Sequence, residues 1–192
     1  MGRIVTNTNV SLDGVVQDPT GEEGFRHGGW FEEFMGGDRE AWARVEAEEA
    51  LRTDAVLLGR RTYDYLAARW PSRSGEWADR LNSMPKYVFS ASLEDPLWNN
   101  SKVLTGDVVA EVSKVKREVD GEIDVYASYQ LAQTLIEHGL VDELRLMVFP
   151  VVLGEGQRLF GETSRKQPLR LLSTQTVGDG LAYLTYELVQ DA

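Results

Sequence analysis

Ala55-Val56-Leu57-Leu58-Gly59-Arg60-Arg61-Thr62 reads as a buried strand that stops on a glycine and turns at once into the start of a helix. An apolar run without alternation belongs to a strand covered on both faces, as in a parallel sheet between helices. The turn also has a chemical use. Backbone N–H groups at a helix start bind anions, and an arginine fork adds charge and paired donors, so Gly59, Arg60 and Thr62 form a candidate phosphate turn. The same residues equally make a plain turn with solvated arginines. The segment is neither a Walker sequence nor a complete GxGxxG fingerprint.

Toward the C-terminus, residues 86–90 form a compact strand candidate and 103–104 a shorter one. Val108, Val112, Val115 and Val119 recur at helical spacing despite β-branching, so burial has to favour that helix. Residues 123–126 make another strand. Ser128 follows it, either as a helix cap or as a phosphate or ribose contact, and Gly139 ends a helix whose inward face is Leu131, Leu135 and Ile136. Residues 144–152 form a strand that ends around Pro150, and 169–177 and 181–189 bracket Gly178-Asp179-Gly180 as a terminal antiparallel hairpin. Gly154-Glu155-Gly156 is either a flexible turn or a place where backbone approaches a flat ligand.

Toward the N-terminus, residues 4–12 read as an opening strand, with Val10 and Leu12 on one side and Asn9 and Ser11 on the other. Asp13 either stabilises the turn at Asp13-Gly14 or orients an amino-bearing substrate. The Gly-rich stretch 21–37 is a long loop with local helix near 30–34, its aromatics packed beneath it or covering a ligand. Asp38 caps a helix to about Arg52, with Ala43, Ala47, Ala50 and Leu51 inward and the acidic residues facing water. A short helix at 77–81 follows the turn region 71–75. Strand and helix alternate up to the hairpin, which places the chain in the α/β class with an antiparallel edge on a mixed sheet.

With 192 residues, 42% of them hydrophobic, one core suffices, and a single domain over 1–192 is expected. Lys and Arg number 20 against 31 Asp and Glu, and the formal charge of -11 disfavours a broad nucleic-acid surface while allowing a local basic pocket. Without cysteine there is no thiolate nucleophile, and His27 and His138 lack HExxH spacing, so no metal is expected. The apolar runs are too short to cross a membrane and the N-terminus lacks the apolar centre of a secretory signal, which makes a cytoplasmic location the expectation.

Taken in order, Ser11-Leu12-Asp13-Gly14, Leu57-Leu58-Gly59-Arg60-Arg61-Thr62-Tyr63 and Gly139-Leu140-Val141-Asp142-Glu143-Leu144 resemble the dihydrofolate-reductase-like superfamily. Pro150-Val151-Val152-Leu153-Gly154-Glu155-Gly156 and Leu159-Phe160 bring the resemblance closer to the riboflavin-biosynthesis reductase C-terminal-domain family, over roughly residues 3–189. The resemblance implies a three-layer α/β dihydrofolate-reductase-like fold, with a central mixed, mainly parallel sheet and a C-terminal antiparallel hairpin, and a homodimer. It further implies NADPH as cofactor and hydride transfer to a C=N or C=O group of a pterin, pyrimidine or related small heterocycle. Asp13 would face the substrate side, Gly59, Arg60 and Thr62 would form the first cofactor-phosphate turn, and Ser90 would lie on the ribose side. Ala127, Ser128 and Tyr129 would make the second dinucleotide turn, with Gly154, Glu155 and Gly156 near the nicotinamide or substrate mouth. Two departures stand out: Ala127 and Ser128 occupy a turn where the family often has glycine, and Ala91 stands where some relatives carry a basic group, which leaves Arg60 more of any 2′-phosphate preference. A flavin reductase and a noncatalytic nicotinamide- or small-ligand-binding protein are the competing readings.

Overall fold

The structure, a computed structural model, describes residues 1–162 and 166–189. Its strands are β1 (Arg3–Ser11), β2 (Thr53–Gly59), β3 (Lys86–Phe89), β4 (Ser101–Leu104), β5 (Glu122–Tyr126), β6 (Glu143–Phe149), β7 (Leu169–Val177) and β8 (Leu181–Leu188). They form one sheet in the order β4-β3-β2-β5-β1-β6-β8-β7. The pairs from β4 through β6 are all parallel, whereas β8 runs antiparallel to β6 and β7 antiparallel to β8. The helices are α1 (Trp30–Met35), α2 (Arg39–Arg52), α3 (Arg60–Ala67), α4 (Glu76–Ser83), α5 (Val108–Glu118) and α6 (Tyr129–Glu137).

Strand alternation distributes the helices over both faces of the sheet. Val56 and Leu58 of β2 pack with Tyr63 and Leu66 of α3 and Ala78 of α4, while Ala55 and Leu57 pack with Val112 and Val115 of α5 and Leu131 and Leu135 of α6. The result is the expected three-layer arrangement. From β2 the chain moves through α3 toward β3 and one edge of the sheet. From β5, the next strand over, it moves through α6 toward β6 and the other edge. Strand order therefore reverses between β2 and β5, and a crevice opens at their carboxyl ends where the two connections diverge.

Three sequence expectations need correction. β1 ends at Ser11 rather than Leu12, and the two sides read from Val10 and Leu12 against Asn9 and Ser11 do not differ in burial: the strand lies between β5 and β6, both its faces are covered along most of its length, and Leu12 beyond it is exposed. In α2 the buried stripe is Val45, Glu46, Glu49 and Ala50, and Leu51 is exposed. Two acidic residues thus point inward: Glu49 meets Arg145 of β6, which also binds Glu143 at 2.6 Å and Glu122 at 2.7 and 2.8 Å, while Glu46 has no such cation among the described residues. Asp38 precedes α2, yet its carboxylate makes no cap. It accepts the N–H groups of Asp179 and Gly180, both at 2.9 Å, and so fastens the β7–β8 hairpin turn to the start of the helix. Of the loop aromatics, Trp30 and Phe31 join a buried cluster with Met147, Phe149 and Tyr183.

Candidate functional site

At the crevice, β2 ends on Gly59 and α3 begins at Arg60, while β5 ends on Tyr126 and α6 begins at Tyr129. The hydroxyl of Ser128 accepts the backbone N–H of Gly59 at 3.0 Å, joining the two turns directly, and makes no cap for α6. Ala127 (φ 53) and Ser128 (φ 22) both hold left-handed backbone, a conformation that costs a residue with a Cβ about 1–2 kcal/mol. Ala127 is held there by its N–H bond to the carbonyl of Asn7, 3.0 Å. Gly59 itself is extended, with φ -78, and a Cβ on it would meet the protein only at Ser128, 3.7 Å away. Its missing side chain therefore serves the open space in front of it more than the turn.

The crevice widens into a cleft of about 660 Å³, within the range of small-molecule sites. Gly59, Arg60, Thr62, Ala127, Ser128 and Tyr129 line one side, and Phe31, Trp42, Tyr65, Trp70 and Trp77 supply an aromatic wall. Phe31 and Trp42 meet edge-on at 5.0 Å, and Trp42 and Trp77 at 5.9 Å. Five arginines also reach the cleft, at 39, 60, 61, 69 and 73, against a chain charge of -11. Arg60 is the most closely positioned with respect to the first turn. Its Nε donates to both oxygens of Asp64 at 2.9 and 2.8 Å, and its Nη1 reaches the hydroxyls of Ser92 at 3.2 Å and Ser90 at 3.4 Å. Arg61 donates to the Tyr129 hydroxyl at 3.1 Å, Arg69 pairs with Glu22 and stacks on Tyr65 at 3.8 Å, and Arg73 stacks on Trp70 at 4.7 Å. Guanidinium groups and two helix starts beside flat aromatic faces make a donor set suited to a phosphorylated ligand that carries planar rings.

The RibD C-terminal domain matches residues 3–183 of this sequence. The chain belongs to the RibD C-terminal domain family. It is 28% identical over 194 residues to the uncharacterized protein YyaP of Bacillus subtilis (strain 168), covering 96% of this chain and 94% of that one. A putative riboflavin biosynthesis protein from Shewanella sp. PV-4 superposes with a TM-score of 0.74 at 20% identity, over 98% of this chain and 99% of its own. Dihydrofolate reductase from Enterococcus faecalis, complexed with NADP(H), gives a TM-score of 0.62 at 14% identity, over 98% and 97%. At these identities the two structures establish a shared fold, and the dihydrofolate-reductase-like architecture is that fold.

This RibD C-terminal domain brings six of the residues singled out in its sequence onto one cleft: Gly59, Arg60, Thr62, Ala127, Ser128 and Tyr129. Ser90 stands just behind, where its hydroxyl accepts from Ser92 and Leu93 N–H groups as well as facing Arg60. Asp13, Gly154, Glu155 and Gly156 gather in a separate loop cluster outside the cleft lining. The Asp13 carboxylate accepts from the Ser11 hydroxyl at 2.7 Å and from the N–H groups of Leu153 at 3.1 Å and Gly154 at 2.9 Å. Burial pushes its pKa up, but these three bonds outweigh it and hold the pKa below the ordinary value. Glu155 pairs with Arg26 at 2.9 Å and approaches His27 at 3.6 Å. Gly156, with φ 115, packs so closely that a Cβ would lie 2.8 Å from Val15 and 2.9 Å from Phe25. The loop braces the segment carrying Val16, which does reach the cleft.

Sequence reading left Arg61 to solvent and did not single out Arg69 or Arg73. Their spacing held part of the signal: Arg61 and Tyr65 share a face of α3 and Arg69, four residues on, stacks on Tyr65, while Arg73 lies past the helix and stacks on Trp70. Asn7, Glu46 and Asp124 also escaped notice, since nothing local marks a polar residue as buried. Among the described residues no group of three or more His, Asp or Glu could hold a metal ion, and no helix is long and apolar enough to cross a membrane.

Proposed function

We propose that this protein binds NADPH across the Gly59-Arg60 and Ala127-Ser128 turns and reduces an electron-poor C=N or C=O group in a small flat heterocycle. The observation that carries this reading is the convergence of two helix starts on the Gly59–Ser128 contact, with Arg60 fixed beside them. The bound nicotinamide supplies the hydride. Arg60, oriented by Asp64 and the two serines, gives the first turn its charge for a 2′-phosphate, and Thr62 adds a hydroxyl donor. Ser128 and Tyr129 close the second turn. The aromatic wall stacks a planar substrate and keeps water from it. Support also comes from full-length likeness to a putative riboflavin biosynthesis protein and to a reductase complexed with NADP(H). Asp13 and Glu155 act in this reading by holding the loop that carries Val16, one step removed from the ligands.

Calorimetry with NADPH and NADH, followed by nucleotide-oxidation assays over oxidised pterins, pyrimidines and flavins with product identification, tests the proposal. The expected result is micromolar NADPH binding and one heterocycle class that drives its oxidation with a matching amount of reduced product. Binding without turnover across the panel identifies a ligand-binding protein instead, and failure to bind either nucleotide overturns the reading.

A further inference from the structure

Beneath α2 the sheet carries a polar layer largely sealed from water. Glu46 and Glu49 descend from the helix toward Asn7 of β1, Glu122, Asp124 and Tyr126 of β5, Glu143 and Arg145 of β6, and Tyr183 of β8. Charge in this layer balances only in part. Glu49, Glu122 and Glu143 all pair with Arg145, while Arg52 adds to Glu49 and Arg3 to Glu143, so these carboxylates have guanidinium groups to match. Glu46 and Asp124, 3% and 7% exposed, make no ion pair among the described residues. Two unpaired carboxylates buried in one layer resist ionising together. Burial, then the charge of Glu49, raises Glu46 to about 8. Burial, then Glu46 and Glu122, raises Asp124 well above the usual carboxylate range.

Glu46, Asp124 and Asn7 border a cavity of about 30 Å³, large enough for one or two water molecules, whose other walls are mainly apolar side chains such as Leu58, Trp70 and Trp98. Three buried atoms beside it, Asn7 Nδ2, Asn7 Oδ1 and Asp124 Oδ1, have no hydrogen-bond partner among the described residues. The cavity wall is mostly apolar, and the unmet atoms of Asn7 and Asp124 form its polar edge, where an ordered water would find partners. Leu66, Trp70, Trp77 and Tyr126 line both this cavity and the large cleft, so the two spaces share a wall. Asn9 lies two residues beyond Asn7 on the same face of β1, lines the cleft, and accepts the indole N–H of Trp42 at 3.0 Å.

We propose that Glu46 and Asp124 form a buried proton store that delivers a proton along cavity water held by Asn7, past Tyr126, to the substrate in the cleft. The delivery step rests on the reductase reading above. As the carbon of the C=N or C=O group gains the hydride, the electron pair of the double bond moves to nitrogen or oxygen. That atom takes the proton released when the carboxyl O–H of the pair breaks. Water from the cleft then returns a proton to the carboxylate left behind. The groups that act on the pair are Glu49 on α2, Glu122 and Tyr126 on β5, Arg145 on β6 and Tyr183 on β8, with Arg52, Arg3 and Glu143 one partner further out and Tyr65 of α3 beside Tyr126. Burial pushes Tyr126 and Tyr183 up, away from neutrality.

Infrared titration of the nucleotide-free protein between pH 5 and 10 reads the store directly through the protonated-carboxyl band. Wild type should keep such a band above pH 6, with the Glu46 share fading near pH 8, and Glu46→Gln and Asp124→Asn should each remove or move part of it. Both variants replace a neutral carboxyl by a neutral amide, and circular dichroism confirms that the compared proteins are folded. Absence of the band above pH 6 in wild type overturns the proposal. For any heterocycle found to be reduced, Glu46→Gln should lower kcat at least tenfold, abolish the decline of kcat near pH 8, and leave the NADPH dissociation constant within twofold. An unchanged kcat and pH profile overturns delivery. Absence of turnover with every heterocycle removes the reductase reading and the delivery step with it, while the infrared titration still decides whether the store exists.

Discussion

Ser128 Oγ accepts the backbone N–H of Gly59 at 3.0 Å across 69 positions of sequence, tying the end of β2 to the turn after β5. This bond spans the point where strand order reverses, so it fixes the separation of the two helix starts that flank the crevice. The serine spends its hydroxyl on that connection and leaves α6 without a side-chain cap. The left-handed backbone at Ala127 and Ser128 is the accompanying cost, and it is local to the cleft.

Asp13 ties the first turn to the 150s loop through Ser11, Leu153 and Gly154. Asp13→Asn replaces one acceptor oxygen with an amino group facing an N–H donor. Thermal denaturation should show a loss of about 0.5–1.5 kcal/mol, the net worth of one hydrogen bond at a partly exposed site. Because the folded pKa is lowered, the wild-type contribution is present above the ordinary carboxylate range and fades as pH falls through the lowered value, so the two proteins should converge in acid. Unchanged stability of the Asp13→Asn variant, together with defective substrate turnover, would instead place Asp13 in direct contact with the substrate.

Glu46 predicts a specific pH dependence of stability. Its folded pKa, about 8, lies above the unfolded value of 4.5, so the folded state retains a proton that the unfolded state loses. Stability is therefore highest below pH 4.5 as far as Glu46 is concerned, and declines as pH rises toward 8, by several kcal/mol at most. Lys86, lowered to about 8 by burial, works in the opposite direction and only above that pH. Chemical denaturation of wild type and Glu46→Gln between pH 5 and 8 should show a flatter curve for the variant. Parallel curves would mean that Glu46 is ionised in the fold.

Much of the fold was legible because its strands are short apolar runs punctuated by glycine, as at Leu57-Leu58-Gly59, and because Gly178-Asp179-Gly180 marks the hairpin. The cofactor-side turns were legible for the same reason: Gly59-Arg60 and Ala127-Ser128 each follow a strand. What was not legible depends on contacts across the sheet. Glu49 of α2 turns inward where Arg145, 96 residues beyond it, sits beneath it, and Glu46 turns inward without an ion-pair partner among the described residues. Asp13, Glu155 and Gly156 drew attention through local chemistry, but loop packing took them away from the cleft lining.

β7 is exposed along nearly its whole length, including Leu169, Leu171 and Leu172, although it carries the free edge of the sheet. An apolar edge strand of this kind is normally covered. The homodimer expected from the family resemblance would use this surface. Sedimentation at micromolar concentration should give a dimer for wild type and a monomer for the double variant Leu171→Glu with Leu172→Glu. A wild-type monomer, or a variant that still dimerises, would place the contact elsewhere or remove it.

The central claim is that Arg60 reads the 2′-phosphate of NADPH at the Gly59–Ser128 crevice. Calorimetric dissociation constants for NADPH and NADH, measured for wild type and Arg60→Ala at two salt concentrations, test it most directly. Loss of a charge-assisted contact should weaken NADPH binding by about 1.5–3 kcal/mol, roughly tenfold or more, with little change for NADH. The NADPH preference of wild type should also shrink with added salt more than that of the variant. Equal losses for both nucleotides, or unchanged affinity for both in a folded Arg60→Ala protein, would contradict the account.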